Sequence, residues 1–169
     1  IQKMEEARLE LVIDNVGLQD ISSRSLQQVD YLIEQYNIQL LNHFDTDVMV
    51  QADRSLIVRV MVNLLTNSIQ NLSENGQIVL WWERSTDGMA KIFVKDNGYG
   101  IPADRQKDIF ERFRGHRVNE TRATSSTGLG LTFCRLAVEA HGGQIGFASQ
   151  PNIETIFWFT LPLVENPAG

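Results

Sequence analysis

The sequence has little of several things, and each shortage narrows the field. Its 169 residues include one cysteine, Cys134, so neither a disulfide framework nor a multi-cysteine metal site can be built. No apolar run approaches the ~18 residues of a membrane span, and no secretory signal opens the chain. There is no internal repeat and no low-complexity tract, which excludes solenoids and fibrous chains. Basic residues are outnumbered, 15 Lys and Arg against 21 Asp and Glu for a net charge of −6, so a protein that coats nucleic acid is excluded. What remains is a globular composition, 43% hydrophobic and 21% charged, with apolar mass for a real core. The length fits one domain, or one domain with a short appendage. The chain opens at Ile1 rather than Met, from which we expect a fragment of something larger.

Periodicity and turn signals divide the chain into elements. Residues 1–15 read as a charged, partly apolar helix, followed by a short extended lead-in over Val16–Ile21. Ser22 or Ser23 can cap a helix over about 24–36, with Leu26, Val29, Leu32, Ile33 and Tyr36 on one face. Ile38–Phe44 and Val48–Ala52 read as a hairpin around Asp45-Thr46-Asp47. Asp53 is a good N-cap for a long helix over about 54–72. Gln77–Ser85 and Met89–Asp96 flank Thr86-Asp87-Gly88, a hairpin signal. A short helix is expected over 103–112, a loop over 114–127, a helix over Gly128–His141 stopped by Gly142-Gly143, and a closing hairpin from Gln144–Ser149 and Thr155–Leu161. The fold class implied is α/β, a two-layer sandwich with a mixed, mostly antiparallel sheet of about five strands covered by about three helices.

Three features carry chemistry, and each has a plain reading beside a functional one. On the long helix Asn63, Asn67, Gln70 and Asn71 form a narrow amide stripe beside the apolar face. It is either a solvated face or a cleft wall, since an amide offers a carbonyl oxygen to a metal and an NH2 to a phosphate. Asp96-Asn97-Gly98-Tyr99-Gly100-Ile101 follows a strand that its apolar residues should bury. It is either turn chemistry or a partly buried carboxylate that accepts from a ligand amine while the glycines admit the ligand closely. Ser126-Thr127-Gly128-Leu129-Gly130-Leu131 opens a helix, as a hinge or as an anion site at the helix N-terminus. It is not a P-loop, because no Gly-Lys-Ser/Thr follows, nor a dinucleotide fingerprint, because Phe133 stands where a third glycine is needed.

Taken in order, these motifs resemble the ATP-binding catalytic domain of two-component sensor histidine kinases, in the ATPase superfamily shared with gyrase, Hsp90 and MutL. Asn63–Ile69 is similar to the family's N box, Asp96–Ile101 to its G1 box, Ile109–Phe113 to its F box and Thr127–Leu131 to its G2 box. His141–Ile145 and Phe157–Pro162 resemble the closing helix, strand and strand. The resemblance spans about residues 18–163 and implies a Bergerat-type ATP-binding fold with ATP and Mg²⁺ as ligands. It implies that Asp96 takes the adenine amine, with Gly98, Gly100 and Ile101 shaping the base pocket. It implies Mg²⁺ on Asn67, with Asn63, Gln70 and Asn71 beside it in the same cleft. Thr127, Gly128, Leu129, Gly130 and Leu131 would present the phosphate-binding turn. Residues 102–127 would form an ATP lid, anchored by Phe110 and Phe113. The domain division implied is a lead-in over 1–17 from an upstream helical element, a catalytic domain over 18–164 and a tail over 165–169.

Position 63 bears on mechanism. The hydrolytic branches of the superfamily carry a glutamate base there; Asn63 cannot take a proton at neutral pH, which favours transfer to an external nucleophile. The sequence departs from the family at Gln70, often lysine, at Asn71, often aromatic, at Ser126, usually glycine, and after Phe113. The lost lysine charge can come from residues 112–127, where Arg112, Arg114, Arg117 and Arg122 stand against Glu120 alone; Arg114 and Arg117 are the candidates for the γ-phosphate. These arginines could equally pair with surface acids. None of His43, His116 and His141 is followed by an acid, so the acceptor histidine is expected outside this chain. Partners implied are a phosphoacceptor helical hairpin, a response regulator and a second copy joined through the upstream region, with no nucleic acid and no direct membrane contact. The expected location is the cytoplasm, the parent protein being free to carry an anchor. Two other readings stay open, a serine/threonine protein kinase of the anti-sigma-factor type and a degenerate nucleotide-binding module.

Overall fold

The computed structural model describes residues 10–44, 48–73, 75–111 and 130–165. Its centre is a five-stranded sheet in the order β2-β4-β5-β7-β6, formed by β2 (Gln39–Asn42), β4 (Gln77–Arg84), β5 (Met89–Asp96), β6 (Ile145–Gln150) and β7 (Glu154–Pro162). Only β2 and β4 run parallel; the other pairs are antiparallel. A separate two-stranded piece pairs β1 (Asp14–Gly17) with β3 (Met49–Ala52) and is tied to the end of β7 by the Val50–Leu163 bridge. Three helices make the second layer: α1 (Leu18–Gln35), α2 (Arg54–Asn71) and α4 (Gly130–Ala140); a single turn, α3 (Ala103–Gln106), lies beyond β5. Helix α2 is the middle of that layer and packs on α1, on α4 and against β5.

The alternation of the strands explains the two layers. Ala90, Ile92, Val94 and Asp96 of β5 point inward and are buried, while Met89, Lys91, Phe93 and Lys95 face outward. Ile78 and Leu80 of β4 and Phe157, Phe159 and Leu161 of β7 complete the inner face. Against them α2 buries Ile57, Met61, Leu64 and Leu65, and α4 buries Phe133, Ala137 and Val138. The outer face carries a cross-strand aromatic row, with Trp81 stacked on Phe93 at 4.7 Å and Lys91 lying 4.1 Å over the Trp158 ring.

The short helix read over 103–112 is cut back to the turn Ala103–Gln106, and three earlier expectations from the sequence are corrected as well. The helix read over residues 1–15 does not reach its end, because Asp14–Gly17 is a strand; residues 1–9 lie outside the described residues. Helix α1 begins at Leu18 with Gly17 as its cap, and Ser22 lies inside it. Leu18, Ile21, Ser22, Ser25 and Val29 continue one buried stripe, in which the serines serve as small packing residues whose hydroxyls donate back to Gln19 O and Ile21 O. The third correction is the hairpin of 38–44 with 48–52: β2 pairs with β4 and β3 with β1. Val16, Val50 and Ala52 are fully buried together, an arrangement that direct β2–β3 pairing would forgo.

The long helix is fixed at its start by two acceptors. The Asp53 carboxylate takes the Leu56 N–H at 3.2 Å, which bears out the cap. The Asp53 N–H donates to His141 Nε2 at 3.0 Å, and His141 Nδ1 bonds Ala137 O at 2.7 Å. The buried His141, accepting at Nε2 and bonding at Nδ1, joins the end of α4 to the start of α2. His141→Leu keeps the bulk and removes the acceptor, leaving a backbone donor unpaired. Urea unfolding should show a loss of about 1–3 kcal/mol; unchanged stability would mean that the bond carries no weight.

Candidate nucleotide site

The site forms where the C-terminal end of α2 meets the end of β5. Asp96 is the last residue of β5 and is 1% exposed. Its Oδ1 accepts the Gly98 N–H at 2.9 Å and the Asn71 Nδ2–H at 3.1 Å. Among the described residues its buried Oδ2 has no well-formed hydrogen bond. Ser68, one turn before Asn71 and fully buried, presents its hydroxyl to the same carboxyl without a well-formed hydrogen bond. Burial holds the Asp96 carboxyl above the usual range; the Gly98 N–H, the Asn71 amide and the Ser68 hydroxyl pull it back, and the Glu154 charge adds a further small rise. A buried carboxylate oxygen held only by a poorly aligned hydroxyl costs free energy unless a further donor reaches it.

The glycine loop is held close by backbone contacts. Tyr99 N–H donates to Asn71 O at 3.1 Å, and a side chain at position 98 would overlap that carbonyl group. Gly100 has φ +75°, and a Cβ there would stand 2.7 Å from Gln150 O. Ile101 N–H donates to Ser149 Oγ at 2.7 Å. The loop is thus clamped between the end of α2 and the β6–β7 turn.

The structure brings most of the sequence-derived candidates to one region. Asn63, Asn67, Gln70 and Asn71 sit half-buried along α2. Asn63 Nδ2 reaches Gly130 O at 3.5 Å, so the amide stripe adjoins the start of α4, where Leu131 packs on the core. Phe110 of the F-box segment packs on Phe147 and Phe157, and its carbonyl accepts from Thr132 of α4 at 3.2 Å. Phe113, Arg114, Arg117, Thr127, Gly128 and Leu129 lie outside the described residues. Sequence reasoning missed Ser68 and Ser149. Ser68 was findable, as a small polar residue between the amide stripe and the apolar face; Ser149 was not, because its partner lies 48 residues away.

A two-layer sandwich whose half-bonded carboxylate lies under a clamped glycine loop, beside an amide-lined helix, defines the class: an ATPase-type α/β domain. The comparisons with known proteins agree. Residues 52–165 match the family described as histidine kinase-, DNA gyrase B- and HSP90-like ATPase, and the chain belongs to that family. It is 36% identical over 163 residues to the adaptive-response sensory kinase SasA of Crocosphaera subtropica, covering 95% of this chain and 42% of that protein. The chain thus spans less than half the length of that relative. The catalytic domain of the histidine kinase ThkA superposes with a TM-score of 0.76 at 28% identity, covering 90% of this chain and 96% of that one. ThkA in complex with the response regulator protein TrrA also matches, with a TM-score of 0.75 at 26% identity, over 96% of this chain and 46% of that one.

The buried carboxylate makes a stability prediction with a definite sign. A carboxyl raised above its unfolded value contributes stability below the unfolded pKa and loses it as pH rises through the folded one. Above that window the unliganded domain carries an unfavourable charge. Asp96→Asn should therefore raise the melting temperature of the unliganded domain near neutral pH, with the gain fading toward pH ~4. A melting temperature lowered at neutral pH would contradict the burial argument.

Proposed function

We propose that this chain is the ATP-binding catalytic domain of a sensor histidine kinase, transferring the γ-phosphoryl group of ATP to a histidine outside the chain. The observation that carries the reading is that Asp96 Oδ2, buried beneath the glycine loop, has no well-formed hydrogen bond among the described residues. An amine donor of a purine satisfies it, and the glycines at 98 and 100 let the loop pack closely on Asn71 and on Gln150, which holds it beside the carboxylate. The kinship supports the same reading, since the relatives named above are kinases.

Within this proposal Asp96 accepts from the adenine amine, and Gly98, Gly100 and Ile101 line the base. Asn67 offers an amide oxygen to Mg²⁺, a hard cation that favours oxygen ligands. Asn63, bonded to Gly130 O, orients the phosphate side of the cleft and cannot deprotonate water. Gln70 and Asn71 complete the stripe. Thr127, Gly128, Leu129, Gly130 and Leu131 form the phosphate turn, Phe113 anchors the lid, and Arg114 and Arg117 supply positive charge. Bound Mg-ATP supplies the transferable phosphoryl group; the protein contributes positioning and charge neutralisation. The unit runs over about 18–164, with the lid at 102–127, a lead-in over 1–17 and a tail over 165–169. The last four residues of that lead-in are paired to β3.

The partners proposed are a phosphoacceptor hairpin and a response regulator, the latter supported by the ThkA complex with TrrA. Any homodimer would form through the region preceding the chain. A cytoplasmic location belongs to the same proposal; among the described residues no helix is long and apolar enough to cross a membrane.

Two measurements test the reading. Calorimetry should show Mg-ATP binding by the unaltered domain and an affinity about ten- to a hundredfold weaker for Asp96→Asn, the worth of a hydrogen bond to a charged group. Radiolabelled ATP should then place label on the histidine of a separately supplied acceptor hairpin from the SasA relative. Good ATP binding with label staying off that histidine would sink the transferase reading.

A further inference from the structure

Two donors converge on one oxygen of Asp96, while among the described residues the other has no well-formed hydrogen bond. Gly98 N–H and Asn71 Nδ2–H both bond Oδ1, at 2.9 and 3.1 Å, and Oδ2 is left buried. Only the NH2 end of an amide can face a carboxylate oxygen, so the orientation of Asn71 is fixed by chemistry. Its backbone is fixed too, because Asn71 O accepts the Tyr99 N–H at 3.1 Å and abuts Gly98. Asn71 is the last residue of α2 and spans the junction with both halves of its structure.

Among the described residues the groups around the carboxylate offer it no cation. The cross-strand neighbours Ile78 of β4 and Thr155 of β7 are uncharged. Ser68 of α2 presents a hydroxyl. Glu154 of β7 is a like charge, itself paired with Lys95 of β5 at 3.7 Å. A charged Asp96 is thus held by dipoles, of which Asn71 supplies a well-formed side-chain hydrogen bond.

We propose that Asn71 is a positioning residue of the adenine site: it saturates Oδ1, so that Asp96 stays charged with Oδ2 aimed at the base's amine. The inference rests on the reading of the pocket as an adenine site. It assigns Asn71 to the carboxylate rather than to the nucleotide. Burial pushes the Asp96 carboxyl up and the Asn71 amide pulls it down. Without that amide the carboxyl holds its proton to higher pH, and a protonated carboxyl meets the base amine with a donor of its own. ATP affinity then acquires an acid limb nearer neutrality.

The test combines carboxyl ¹³C NMR titration of Asp96 in the unliganded domain with calorimetric ATP affinity, from about pH 5 to about pH 8. The proteins are the unaltered domain, Asn71→Leu, which is nearly isosteric without a donor, and Asn71→Asp, which is isosteric with a like charge. Asn71→Leu should move the Asp96 midpoint up by about one pH unit or more, with affinity lost ~tenfold or more at the acid end and recovering at the alkaline end. Asn71→Asp should move it further, two adjacent carboxyls sharing a proton. The same Asp96 midpoint in all three proteins, with affinity lost by one factor at every pH, would overturn the proposal and leave Asn71 a merely structural residue. An unaltered domain that binds no ATP at any pH would overturn the adenine reading itself, whatever the Asp96 titration shows.

Discussion

The junction between the last residue of α2 and the last residue of β5 is the constraint on which the site depends. Asn71 holds Asp96 through its side chain and the glycine loop through its carbonyl, which accepts from Tyr99. A helix end exposes carbonyls that need partners, and a strand end needs a turn. Here each meets the other's need. The price of that economy is a short approach, which only glycine at position 98 allows. The other end of α2 is tied down as firmly, by the Asp53 cap and the His141 bond, so the amide stripe between the two ends is carried on a rigid element.

The same junction sets stability against binding. An acid sits 1% exposed with one oxygen lacking a well-formed hydrogen bond among the described residues, where an apolar side chain or an asparagine would serve the unliganded fold better. Such a group persists where a ligand is to complete it. The outer aromatic row of Trp81, Phe93 and Trp158 and the Val16–Val50–Ala52 cluster contribute packing without such tension.

Much of this was legible in the sequence, for identifiable reasons. Local signals held where the determinant is local: Asp53 caps α2, the Thr86-Asp87-Gly88 turn joins β4 to β5, and Gly142 takes φ +78° after α4. The amide stripe and the Asp96 turn were visible as patterns, but nothing in them put the Asn71 side chain on the Asp96 carboxylate. What failed depended on partners distant in sequence. Strands β2 and β3 look like a hairpin until Val16 and Ile78 compete for them. Ser22 reads as a cap because its other use, a small buried residue inside α1 that faces Asn42 of β2, is set twenty positions away. The role of Asn71 was hidden because it is read from Oδ1 of a residue 25 positions on.

The central claim is that Oδ2 of Asp96 recognises the exocyclic amine of adenine. The most direct measurement is the affinity of the unaltered domain for ATP against inosine triphosphate, which carries a carbonyl oxygen where ATP carries the amine. The account requires inosine triphosphate to bind at least about tenfold more weakly, since an acceptor then faces a buried acceptor. Equal affinities would contradict it and remove Asp96 from base recognition.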